Sequence, residues 1–83
     1  MTAYRVEVRV MPRATLLDPQ GQAVERALHA LGFEVGRVRV GKHLELDVEA
    51  ANGEEAAARA RAMCDRLLAN PVTEDFAVAV RTA

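Results

Sequence analysis

Few residues in this chain could carry chemistry, and their spacing argues against most of it. Cys64 could act as a nucleophile, but it sits among Met63, Leu67 and Leu68 with no histidine at helical spacing, which fits packing instead. His29 lies between Leu28 and Ala30 on a helix flank, and His43 falls in a turn where exposure or a simple contact suits it. Asp18 with Glu74 or Asp75 would make a carboxylate pair for acid–base work, yet Asp18 already holds the position of a helix cap. Glu74 and Asp75 read equally as solvated residues before a strand or as partner contacts. Gly21 stands near a helix start, as in phosphate-binding loops, but no G-x-G-x-x-G or G-x-x-x-x-G-K accompanies it. Lys42 is the only lysine among 11 basic residues, and with Gly41 it forms a turn tip suited to solvent, to an acidic surface or to an anionic ligand. No catalytic, cofactor-binding or metal-ligating set is expected; two histidines and one cysteine, far apart, are poor material for zinc.

The composition sets the remaining limits. Eighty-three residues allow one domain, expected over 1–83, with one small core. Domains of this size commonly need a disulfide, a metal or a partner chain. The lone Cys64 removes the first and fits a reducing, cytoplasmic setting. Self-association or docking onto another protein is therefore favoured. A net charge of -1 and three aromatics leave little for nucleic acid. No apolar run approaches a membrane span, and Met1–Arg5 leads directly into a strand pattern rather than a signal peptide.

The elements follow from periodicity. Tyr4, Val6, Val8 and Val10 alternate with Arg5, Glu7, Arg9 and Met11, a half-buried strand ended by Pro12. Asp18-Pro19 starts a helix whose inward stripe is Val24, Leu28 and Leu31, closed by Gly32 with Phe33 beyond. Val35, Val38 and Val40 predict a second strand, and Leu44, Leu46 and Val48 a third. A three-residue loop over Gly41, Lys42 and His43, or a two-residue loop with a bulge, is expected; the three-residue loop pairs Val40 with Leu44 and Val38 with Leu46. The other face then sets Arg39 against Glu45 and Arg37 against Asp47.

Asn52 and Glu55 form a capping box for a second helix, with Ala56, Ala60, Met63, Cys64, Leu67 and Leu68 inward. Asn70, able to adopt the left-handed conformation, and Pro71 cut that helix. Phe76, Val78 and Val80 form the last strand, leaving Ala77 and Ala79 as a smooth patch on the outer face. The order βαββαβ predicts an α+β two-layer sandwich of the ferredoxin-like kind. It would have a four-stranded antiparallel sheet with both helices on one face, and the first strand beside the third.

The stretches Leu17-Asp18-Pro19-Gln20-Gly21, Leu31-Gly32-Phe33, Val38-Arg39-Val40-Gly41-Lys42, Leu44-Glu45-Leu46 and Met63 through Phe76 together resemble the PurS family. This is the small subunit of bacterial and archaeal phosphoribosylformylglycinamidine (FGAM) synthase. The similarity covers nearly the entire chain. Thr73 stands where isoleucine is usual and Phe76 where tyrosine is common.

The resemblance implies a non-catalytic subunit of de novo purine biosynthesis. It would bridge a glutaminase (PurQ type) and an ATP-dependent synthetase (PurL type), support ammonia transfer and form dimers or tetramers. ATP and magnesium would be used by the synthetase, with no cofactor in this chain. The expected partner-interface residues are Arg39, Gly41, Lys42, Asn70, Pro71, Glu74 and Asp75. Two other classes share the element order: an ACT-like small-molecule sensor and a small ferredoxin-like enzyme. The first would need a ligand site at a dimer edge, the second paired polar residues in the sheet cleft.

Overall fold

The computed structural model describes residues 1–83. Strand β1 spans Thr2–Pro12, helix α1 Pro19–Ala30, strand β2 Lys42–Ala50, helix α2 Gly53–Met63 and strand β3 Glu74–Thr82. A single wider π-helical turn, Cys64–Leu68, extends α2 and closes with the Ala69 N–H donating to the Cys64 carbonyl at 3.0 Å. The three strands form one antiparallel sheet in the order β2-β1-β3. As expected, the first strand lies beside Leu44–Val48: Val6 faces Leu46 and Val8 faces Leu44, while Val78 and Val80 flank them from β3.

The caps follow the sequence signals. Asp18 accepts a hydrogen bond from the Gly21 N–H at 2.9 Å, and Asn52 accepts one from the Glu55 N–H at 2.8 Å. Gly32, with φ of 92°, ends α1. There the Gly32 N–H donates to the His29 carbonyl and the Phe33 N–H to the Leu28 carbonyl, both at 3.0 Å, which is the double closure of a Schellman motif.

The four-stranded sheet is corrected to three strands. Residues 35–40, expected as the second strand, do not fold back on β2. They run without strand pairing beside α1, where the Val40 N–H donates to Asp18 Oδ2 at 2.9 Å and the Val38 N–H to Glu25 Oε1 at 3.3 Å. Side-chain acceptors on α1 thus take the donors that a hairpin would have used.

The placement of both helices on one face is also corrected. α2 packs on the sheet, but α1 makes no substantial contact with any strand or with α2. Its expected inward residues are left open: Leu31 is 74% exposed and Val24 39%. Leu67, expected inward on the second helix, is 81% exposed because it lies on the wider turn. Asn70 does not take a left-handed conformation; no residue other than glycine does. Its side chain accepts from the Val72 N–H at 3.0 Å and its carbonyl from the Glu74 N–H at 2.8 Å, so it shapes the turn into β3.

The core lies under α2. Val6, Val8 and Val10 are completely buried against Ala56, Ala60 and Cys64. Small side chains at 56 and 60 let the helix backbone approach the valine stripe closely. Leu44, Leu46, Phe76, Val78 and Val80 are only half covered. The outline is correspondingly long, 51 × 26 × 14 Å with a radius of gyration of 16.1 Å, where a compact chain of this length has ~12 Å. Overfilling the tight contact should be costly. Ala60→Leu is expected to lower stability by about 1–3 kcal/mol in urea unfolding, whereas the exposed Ala62→Leu should change it little.

Candidate functional site

The seven residues expected at a partner interface come together at one end of the sheet. Pro12 and Arg13, where β1 runs out, are the hub. On one flank Val10 pairs with Lys42, and Gly41 is pressed so closely to the Met11 sulfur and the Val10 carbonyl that a Cβ would collide with both. On the other flank Met11 pairs with Asp75 and Pro12 with Glu74. The Arg39 guanidinium donates to the Pro12 carbonyl across this end. Asn70 and Pro71 lie in the turn that leads to Glu74, and the Asn70 N–H donates to Glu74 Oε1 at 2.7 Å.

Arg13, missed in the sequence reading, ties the second flank to the hub. Its guanidinium donates to the Pro71 carbonyl at 2.7 Å and lies 3.7 Å from Asp75, and its N–H donates to the Thr73 carbonyl at 2.9 Å. Nothing local in the sequence marks it, because its partners lie about sixty residues away. Arg37 adds a third guanidinium on a backbone oxygen, the Ala14 carbonyl at 2.5 Å. An open cleft of about 640 Å3 lies at the same end, between Leu16, Leu17 and Asp18 on one side and Val40, Thr73 and Glu74 on the other.

The candidates for chemistry are otherwise occupied. Asp18 spends both carboxylate oxygens on backbone N–H groups, those of Gly21 and Val40. These bonds, the Gly21 one first, hold its pKa below the usual carboxylate range. Burial pushes the Cys64 thiol up, and the neighbouring Asp65 charge adds to this, so it is kept from the thiolate form a nucleophile needs. His29 contacts the Val35 carbonyl at 2.9 Å and steadies the chain leaving α1. On the helix-free face Glu7, His43 and Glu45 bring one ligand atom each within 4.8 Å of one another. Arg81 pairs with Glu7, and Arg5 lies 3.9 Å from Glu45, so guanidiniums already sit at both carboxylates. No helix is long and apolar enough to cross a membrane.

This end of the sheet therefore gathers charged and turn residues. The family model described as PurS, phosphoribosylformylglycinamidine (FGAM) synthase, matches residues 5–82. The chain belongs to the PurS family. It is 43% identical over 74 residues to the phosphoribosylformylglycinamidine synthase subunit PurS of Bacillus subtilis, covering 88% of this chain and 87% of that protein. The structure of Thermus thermophilus PurS superposes with a TM-score of 0.85 at 44% identity, covering 98% of each chain. A chain in the structure of PurLQS from Thermotoga maritima gives a TM-score of 0.90 at 35% identity, covering 98% of this chain and 100% of that one. The family is thus that of a small FGAM synthase subunit, as the sequence resemblance implied.

The Asp18 clamp has a pH signature. Because its folded pKa lies below the unfolded value, its contribution is present above the ordinary carboxylate pKa and is lost as pH falls through the folded one. Asp18→Asn should therefore lower the melting temperature near neutral pH. The gap to the unsubstituted chain should shrink as pH drops from about 6 to about 3, as thermal unfolding followed by circular dichroism will register.

Proposed function

We propose that this chain is the non-catalytic small subunit of a phosphoribosylformylglycinamidine synthase complex in de novo purine biosynthesis. It joins a glutaminase subunit to an ATP-dependent synthetase subunit and supports the passage of ammonia between them. It associates with itself, works in the cytoplasm and carries no cofactor, the ATP and magnesium being used by the synthetase.

The observation that carries this reading is the near full-length likeness to a chain of PurLQS from Thermotoga maritima, a structure whose name joins three components. The geometry supports it. The functional end is built from arginines anchored on backbone carbonyls, a close-packed glycine and a proline turn, which are means of holding a surface rigid. Self-association has its own support in α1, whose Val24, Leu31 and neighbouring Phe33 are left open to water in one copy.

The chain alone should hydrolyse neither ATP nor glutamine. Added to its two companion subunits, it should restore glutamine-dependent amination of formylglycinamide ribonucleotide. Full activity of the companions without it would overturn the reading. Within that assay Lys42→Ala should weaken assembly by up to about fivefold, the scale of one exposed ion pair. Titration of the chain into the companions measures it.

A further inference from the structure

The helix-free face carries a set of donors that neither the core nor the end of the sheet uses. Glu7 of β1 stands directly across from Glu45 of β2, and His43 stands across from Arg9 on the same face. One donor atom from each of Glu7, His43 and Glu45 lies within 4.8 Å of the others. Two carboxylates facing each other across a strand pair repel. A guanidinium answers each of them, but on one oxygen only. Arg81 takes Glu7 Oε1, and Arg5 stands 3.9 Å from Glu45 Oε1. The second oxygen of each is left over, and Glu45 Oε2 is the one that approaches His43 Nε2, at 3.8 Å. On the other side of β1, Ala79 faces Glu7 and Ala77 faces Arg9. Their methyl groups leave a shallow cleft of about 240 Å3, bordered by Glu7, Arg9, His43, Ala77 and Ala79.

We propose that Glu7, His43 and Glu45 bind one divalent transition-metal ion of the zinc, nickel or cobalt class. The donors are the free oxygen of each glutamate and Nε2 of the imidazole. An imidazole beside two carboxylates suits these borderline ions, whereas magnesium and calcium take oxygen-only shells. Bonds of about 2.0–2.2 Å place the donors of one ion roughly 3–3.5 Å apart. Small rotations of three exposed or half-buried side chains close the present spacing to that, with the paired backbone of β1 and β2 unmoved. The guanidiniums then support the site. Arg5 and Arg81 each stand at the outer oxygen of a glutamate and orient the inner one toward the ion, as outer partners do at metal centres. The ion also replaces the repulsion between Glu7 and Glu45 with a shared attraction. Three protein donors leave the remaining positions to water. Arg9 borders the cleft without a carboxylate of its own, so its charge opposes the ion, and affinity is expected in the micromolar range. Bound there, the ion staples β1 to β2 beside Lys42, outside the hydrophobic core. The inference is independent of the proposed function, in which this chain needs no ion.

The test is calorimetric titration of zinc chloride, nickel chloride and magnesium chloride into the whole chain, freed of metal beforehand. One zinc or nickel ion per chain and no magnesium is expected, and the melting temperature should rise with zinc concentration. His43→Gln removes the imidazole, and Glu45→Gln removes a charge at constant shape. Each should weaken zinc binding about tenfold or more, while His29→Gln, at the histidine outside the cluster, leaves it unchanged. Cobalt chloride reports the donor atoms: nitrogen and oxygen donors give no sulfur-to-cobalt charge-transfer band, which sets Cys64 aside. Three results overturn the site. They are no saturable binding of zinc or nickel, binding that survives both His43→Gln and Glu45→Gln, or a thiolate band with cobalt. Both substituted positions are exposed, and circular dichroism of each variant distinguishes a lost donor from an unfolded chain. None of these measurements uses the companion subunits, so the site can fall while the proposed function stands.

Discussion

Strand β1 is the only strand with a neighbour on both sides, and the fully buried row Val6, Val8 and Val10 fixes where everything else can go. α2 must lie across that row. It can lie close because Ala56 and Ala60 face it. One narrow helix cannot roof three strands, however, and the leucines of β2 and the apolar residues of β3 remain half open. Each fully buried valine contributes about 1.5–3 kcal/mol. The arm from Pro19 to Gly41 buries only Gly21 along its helix, although ordering a residue costs about 1–2 kcal/mol. An arm of that length is held by little burial and rests instead on the hydrogen bonds made by Asp18, Glu25 and His29.

Asp18 decides the direction of that arm. A helix cap needs one carboxylate oxygen, which Gly21 uses; the second takes the Val40 N–H and binds the returning segment to the helix start. Gly21 has to be a glycine, since a Cβ there would meet the Val38 carbonyl and the Asp18 carboxylate itself. The close approach of Gly41 to Met11 sets the other end of the segment. With both ends held in this way, residues 35–40 are not paired with the β2 edge of their own chain.

Much of this was legible in the sequence. Alternation located β1, β2 and β3, and Asp18, Asn52 and Gly32 marked helix ends that the structure keeps. The fourth strand failed for a physical reason: Val35, Val38 and Val40 carry the same apolar pattern whether their N–H groups go to a neighbouring strand or, as here for Val38 and Val40, to the carboxylates of Glu25 and Asp18. The stripe on α1 misled in the same way. The end of the sheet was legible as a group of residues but not as a place. Lys42 and Asp75 flank the same end only because β1 runs between their strands, Arg39 joins them through the Pro12 carbonyl, and Arg13 is visible only once that happens.

The distribution of charge separates the two surfaces. On the helix-free face two guanidiniums are matched to carboxylates within the chain, Arg5 to Asp47 at 2.8 Å and Arg81 to Glu7. At the end of the sheet Arg13, Arg37 and Arg39 donate to the carbonyls of Pro71, Ala14 and Pro12. A carbonyl fixes the direction of a guanidinium without cancelling its charge. For Arg37 and Arg39 no carboxylate of the same chain forms an ion pair, unlike Arg13 with its Asp75. Their positive charges are fixed in direction, and the carboxylate they act on within the chain, Asp18, spends both its oxygens on backbone N–H groups, so an ion pair with another polypeptide would cost little ordering entropy.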